Sequence, residues 1–281
     1  MSQFAEKDFD TNNYNSKRPG YPPSLFKALF AYHQGPTKLA LEVGCGPGTA
    51  SFPLLQYVDK LVATDPSEMM VHTAIESIPA SQKDRIEFKV APAESLHELI
   101  PTDGCIDLIT CAEALHWFDH RKFFEEAARA IRPGGTLAYW GYVEPRFIDF
   151  PKANKIYEKY VFEDARFMGP CWVQPGKNFL RYFFKDVHIP EDYFTDVEKW
   201  DYYPGESQKH TAYFLGDHQY TMKKFRDYLS SWSALHTWRK QNSGKDVIDL
   251  MIDEMKEACG WEDGTELRVE WGTSYVFARR R

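Results

Sequence analysis

Glu42 stands two residues ahead of Gly44, Gly46 and Gly48 in the stretch LEVGCGPGTA at 41–50. A glycine run of this kind after an apolar segment is a tight turn that brings bare backbone against a ligand, and three ligand chemistries compete for it. A phosphate loop of the G-x-x-x-x-G-K-[ST] type requires a Lys after its last glycine. Thr49 follows Gly48, which excludes that chemistry. A dinucleotide loop requires G-x-G-x-x-G. Gly44 and Gly46 fit it, but Thr49 occupies the third glycine's place and Gly48 comes one residue early. An adenosyl ligand without phosphate remains, and Glu42 favours it, because a carboxylate repels a pyrophosphate and attracts an α-ammonium group. Asp65, at the end of the next apolar run, suits the two ribose hydroxyls of either adenosyl ligand and does not discriminate between them.

A second group of residues could serve the other reactant. His116 and Trp117 follow the apolar run IDLITCAEA at 106–114. His116 is the natural general base for a phenol or amine acceptor, and Trp117 offers an aromatic face to a cation. A structural histidine and a core tryptophan would look the same in sequence. Arg18 and Arg146 carry planar forks that match a carboxylate bidentately, with Tyr142 beside them as a further substrate contact and Lys177 and Arg181 as weaker cations. A carboxylate acceptor, with a pKa near ~4, is ionised at neutral pH and needs no base.

These residues must be positioned by a framework, and the chain between about 24 and 142 supplies one. SLFKALFAYH reads as a helix capped by Ser24, and SEMMVHTAIESI as one capped by Ser67. KLALEVG, LVATD, IEFKVAPA, IDLITCAEA and TLAYWGY read as five strands, with an amphipathic helix at FFEEAARAI and a turn at RPGG before the fifth. This alternation predicts an α/β fold, a doubly wound and mostly parallel sheet. From 145 to 192 the rhythm breaks into a Pro- and aromatic-rich cap. DYFTDVEKWDYY at 192–203 reads as a returning strand, TMKKFRDYLSSWSALHTWRK as one long helix, KDVIDLMIDEMKEAC as another, and ELRVEWGTSYVFARR as a last, antiparallel strand. The expected organisation is an N-terminal segment at 1–23, a ligand-binding core at 24–144, a cap at 145–222, and helices with a closing strand at 223–281.

Composition narrows the class. Hydrophobic residues at 43% and charged residues at 27% describe a soluble globular chain. With 34 Lys and Arg against 41 Asp and Glu, the formal charge of −7 disfavours nucleic acid or an anionic membrane as partner. Five cysteines without metal-type spacing read as free thiols of a reducing compartment, and the polar, acidic start is not a secretory signal. The expectation is a cytoplasmic monomer with no metal and a small-molecule acceptor.

Taken in order, LEVGCGPGTA, the acid of ATDPS, APAESL, IDLITCAEALHWF and IRPGGTLAYW resemble the class I S-adenosylmethionine-dependent methyltransferases over roughly residues 39–142. The resemblance implies that Gly44 to Gly48 lie against the methionine portion of S-adenosyl-L-methionine, that Asp65 holds its ribose, and that Ala93 and Glu94 border its adenine. YNSKRPGYP, AEALHWF, WGYVEPRFIDFP, QPGKNFLR and SSWSALHTWRK are similar to the fungal trans-aconitate methyltransferases and their relatives acting on small dicarboxylic compounds such as cantharidin. That implies an N-terminal lid with Tyr14 and Arg18 facing the site, and methyl-ester formation on a small polycarboxylic acid. Other acceptors (a phenol, a quinone or a lipid), a dinucleotide-dependent oxidoreductase and a non-catalytic adenosyl-binding regulator stand as alternatives.

Overall fold

The structure, a computed structural model of the chain, describes residues 17–206 and 213–281. Among these, the strands β1 (Leu39–Val43), β2 (Lys60–Asp65), β3 (Ile86–Val90), β4 (Ile106–Ala112), β5 (Ile131–Phe147), β6 (Phe194–Tyr202), β7 (Leu215–Tyr220) and β8 (Leu267–Arg280) form one sheet. Its order is β3-β2-β1-β4-β5-β8-β6, with β7 also paired to β8. The first five strands are parallel, whereas β8 runs antiparallel to β5, β6 and β7. The predicted doubly wound, mostly parallel sheet is therefore the observed one. Strand order reverses between β1 and β4, the place where an open sheet of this kind opens a crevice at its carboxyl edge.

The central strands β1, β4 and most of β5 are apolar on both sides because both sides are covered. Ala40, Leu61, Ala138 and Trp140 face Leu25, Phe26 and Leu29 of α1 (Pro23–Tyr32). Leu41, Ile109, Leu137 and Tyr139 face the opposite way, onto Phe123, Phe124 and Ala127 of α4 (His120–Ala130). Between them in the chain come α2 (Ser51–Leu54), which follows the glycine turn, and α3 (Glu68–Glu76), whose cap Ser67 accepts the Met70 N–H as the sequence suggests. The α1 helix starts differently from expectation. Pro23 occupies its first position, where the fixed φ and missing N–H cost nothing, and Ser24 lies inside the helix rather than capping it. RPGG does not interrupt β5 either; it is absorbed as a register shift against β4, between Ile106 and Leu108.

The cap is a third apolar cluster over the far ends of β5 and β8. It contains α5 (Pro151–Glu158), but not α6 (Gly176–Arg181), whose Leu180 packs with the α4 side of the sheet; α7 (Met222–Ser230), α8 (Ser233–Gln241) and α9 (Val247–Cys259) complete it. The single long helix expected over 221–240 is two helices. The Ser230 and Ser231 hydroxyls donate back to the carbonyls of Asp227 and Tyr228, at 2.7 and 2.6 Å, and Trp232 is extended, so the ladder stops there. The predicted returning strand is β6, and β7 was not anticipated. β5 also continues to Phe147, past the expected core boundary at 144. All five cysteines are free thiols. Among the described residues no helix is long and apolar enough to cross a membrane.

Candidate active site

The crevice at the carboxyl edge holds a cavity of about 540 Å³, within the range of about 300–1,000 Å³ usual for small-molecule sites. Its wall is drawn from the ends of β1 through β5, from Arg18, Pro19 and Tyr21, and from the cap.

At the β1 end, the glycine turn is shaped by hydrogen bonds and by lack of room. Gly44 and Cys45 donate their N–H groups to the Thr64 carbonyl at 2.7 and 2.9 Å. Gly44 has φ +73°, and a Cβ there would lie 2.4 Å from the Ala114 Cβ, so this glycine lets β1 and the loop after β4 close on each other. Gly46, at φ +53°, is the contrary case: a Cβ would meet nothing within 4 Å, and the residue lines the cavity. Bare backbone with open space above it is what an adenosyl ligand requires. Gly48 departs from the sequence reading. It faces the Phe52 and Phe88 rings and is not part of the cavity wall.

Glu42 is fully buried and lines the cavity. Its Oε2 accepts the Ser51 hydroxyl, while Oε1 is buried without a hydrogen-bond partner. Burial pushes its pKa up to about 8, against the lowering effect of the Ser51 bond. A buried carboxyl with an unsatisfied oxygen is costly unless something pairs with it, and an α-ammonium group would do so. Asp65 accepts from the Gly46 and Ser67 N–H groups, both at 2.9 Å, and so ties the turn to the end of β2. Burial raises its pKa, opposed by those two bonds. Ala93 and Glu94 join the wall after β3, with Glu94 Oε1 accepting the Asp119 N–H at 2.8 Å.

The other end of the cavity is aromatic and charged. His116 and Trp117 line it with ring centroids 4.9 Å apart. His116 is buried, its Nδ1 lacks a partner, and burial followed by the Lys177 and Arg18 charges pushes its pKa down to about 3. The imidazole is thus neutral at physiological pH and a poor proton acceptor. Arg18 donates from Nε to the Ser231 hydroxyl at 3.0 Å and from Nη1 to the Tyr142 hydroxyl at 3.5 Å. The break between α7 and α8, where the buried Ser231 faces Arg18, therefore positions this guanidinium, and it also places Trp232 in the wall. Lys177 lines the cavity 2.8 Å from Glu144 and 4.4 Å from the Trp172 ring centroid.

Most of the expected site is brought together: Glu42, Gly44, Gly46, Asp65, Ala93, Glu94, His116, Trp117, Arg18 and Tyr142 all line one cavity. Two cations are not. Arg146 and Arg181 both bond to Glu158 away from the wall, because β5 turns the Arg146 side chain toward α5. Tyr14 lies outside the described residues. Glu113, Glu144, Trp172 and Tyr228 line the cavity and were missed in the sequence. Glu113 sits inside AEALHWF, so its neighbourhood was visible and its role was not.

A family model described as a methyltransferase domain matches residues 41–139. The probable S-adenosylmethionine-dependent methyltransferase CRG1 of Saccharomyces cerevisiae is 31% identical over 100% of this chain and 99% of its own length. The chain belongs to the S-adenosylmethionine-dependent methyltransferases. A putative methyltransferase of Dictyostelium discoideum is 24% identical over 92% of the chain and 88% of its own. A solved structure of a putative type II methyltransferase from Anaeromyxobacter dehalogenans superposes with a TM-score of 0.69 at 25% identity, covering 93% of this chain and 97% of that one. The architecture is the Rossmann-like methyltransferase fold, and membership of the family sets aside the oxidoreductase alternative. As a methyltransferase, the chain takes S-adenosylmethionine as co-substrate. Its Glu42, Gly46 and Asp65 fit that molecule: an orphaned buried carboxyl oxygen, uncovered backbone, and a carboxylate at the second strand's end.

Proposed function

We propose that this methyltransferase forms a methyl ester on a small polycarboxylic acid of the trans-aconitate kind. What carries the reading is Arg18, a forked cation held in the acceptor end of the cavity by Ser231 and Tyr142. Desolvating a carboxylate without a partner costs several kcal/mol, and Arg18 with Lys177 offsets that cost. S-adenosylmethionine, when bound, supplies an electrophilic methyl group on a sulfonium. The chain's part is then to hold and orient. Glu42, Gly46 and Asp65 would fix the donor, Arg18 would aim the acceptor, and Trp117, Trp172 and Trp232 would exclude water. Alignment alone contributes several kcal/mol to such a displacement. No base is required, in keeping with a His116 whose lowered pKa makes it a poor proton acceptor.

A neutral hydroxyl acceptor is the second reading. Glu113, whose pKa burial pushes up to about 7, is the group that would take its proton.

An acceptor panel with labelled methyl donor tests the proposal. Turnover of trans-aconitate or a similar acid should be flat in kcat from pH 6 to 8, because the nucleophile is already ionised. Arg18→Lys keeps the charge and loses the fork, so KM for the acid should rise about tenfold while donor affinity changes less than about twofold. Turnover confined to phenols, quinones or lipids, with Arg18→Lys silent, would overturn it.

A further inference from the structure

Glu113 follows β4 directly and lies in the left-handed region, φ 53°, which residues bearing a Cβ seldom enter. Its backbone N–H donates to the Trp140 carbonyl at 2.9 Å, and its Oε1 accepts the Tyr142 N–H. The strained backbone therefore turns this side chain back over β5 and into the cavity wall. One carboxyl oxygen is used by β5, and the other remains for what occupies the cavity.

Charged and titratable groups face this carboxyl from several elements. Arg18 from the N-terminal segment and Lys177 of α6 favour its ionised form, and Glu144 of β5 opposes it. The phenols of Tyr213, ahead of β7, and Tyr228, on α7, lie close enough for the Glu113 charge to disfavour their ionisation. His116 shares the wall and stays neutral. Burial outweighs all of these and pushes the Glu113 pKa up to about 7.

We propose that Glu113 is the residue that selects the acceptor: its neutral carboxyl donates a hydrogen bond to a carboxylate of the bound acid, and its ionised form turns that acid away. This rests on the acid-ester reading above. An acceptor carboxylate beside Glu113 favours the protonated form further, so binding the acid takes up a proton. Affinity for the acid is full below the pKa of Glu113 in the free protein and is lost as pH rises through it, by about one decade per unit.

The experiment measures KM and kcat for trans-aconitate from pH 6 to 8.5 at saturating S-adenosylmethionine, for the native protein and Glu113→Gln. The amide oxygen can still accept the Tyr142 N–H, and its NH₂ presents a permanent donor to the cavity. In the native protein KM should rise about tenfold between pH 6 and 8 with kcat flat. In Glu113→Gln, KM should stay within about twofold over the same range, with unchanged affinity for S-adenosylhomocysteine showing that the donor half is intact. Parallel KM profiles in the two proteins, or a flat native profile, would overturn the role of Glu113 alone. If neither protein methylates the acid but a phenol is turned over, with kcat rising through pH 7 and falling at least a hundredfold in Glu113→Gln, then Glu113 is a general base. In that case both the inference and the acid reading fail.

Discussion

At the scale of single residues, burial raises the pKa of three carboxyl groups in the cavity wall, Glu42, Asp65 and Glu113. Glu42 is the clearest case, with a pKa of about 8 and one unsatisfied oxygen. At pH 7 it carries a proton, and pairing with an α-ammonium group would favour the charged form and expel it. Calorimetry in buffers of different ionisation enthalpy should therefore register release of close to one proton per S-adenosylmethionine bound at pH 7, on the order expected from linkage. Donor affinity should rise with pH up to about 8 and level off above it. Glu42→Gln should abolish the release and weaken binding about tenfold. Binding with no proton exchange would remove Glu42 from the donor site. The sequence singles out Glu42 and Asp65, which both line the cavity, because a carboxylate on or at the end of an apolar run has few structural reasons to be there. It did not separate Arg18 from Arg146, since both are forked cations near the same sheet edge. Only the bonding of Arg146 to Glu158 tells them apart. Glu113 escaped notice because its importance comes from a backbone conformation that no residue type announces.

At the scale of elements, the glycine turn separates two demands that look identical in a motif. Gly44 is required by packing, whereas Gly46 has open cavity above its backbone. Gly44→Ala forces a Cβ against Ala114 at positive φ, so it should destabilise the protein by about 2–4 kcal/mol. Gly46→Ala meets no neighbour and should cost only about 1 kcal/mol for its backbone, yet lower donor affinity more than about tenfold by filling ligand space. Thermal unfolding beside donor titration checks the pair, and equal loss of stability in both variants would refute the distinction. The parallel strands were legible because strands buried on both faces read as continuous apolar runs. The break at Ser231–Trp232 was not, because the apolar spacing runs through it from Phe225 to Leu235. β7, LGDHQY, is short and polar and carries no such pattern.

At the scale of the whole molecule, the described residues ahead of α1 reach both the cap and β5. Lys17 reaches Ser230 and Asp227, Arg18 reaches Ser231 and Tyr142, and Tyr21 packs edge-on to Trp140 with ring centroids 5.8 Å apart. Removing residues 1–20 keeps Tyr21 and so should lower the melting temperature by only about 2–4 °C. Turnover should fall at least a hundredfold, as an enclosure and its cation are lost together. A truncated protein with near-native kcat and KM would show that the segment has no part in the reaction. The opposite end of the chain behaves differently. β8 lies between β5 on one side and β6 and β7 on the other. Three strands made earlier therefore wait for partners that do not exist until residue 267 has been synthesised. During translation the backbone edges of β5, β6 and β7 that pair with β8 stay open to other chains. Such late, long-range closure makes folding slow and chaperone demand high. A shortened β8 should accordingly yield aggregate rather than a weakened enzyme.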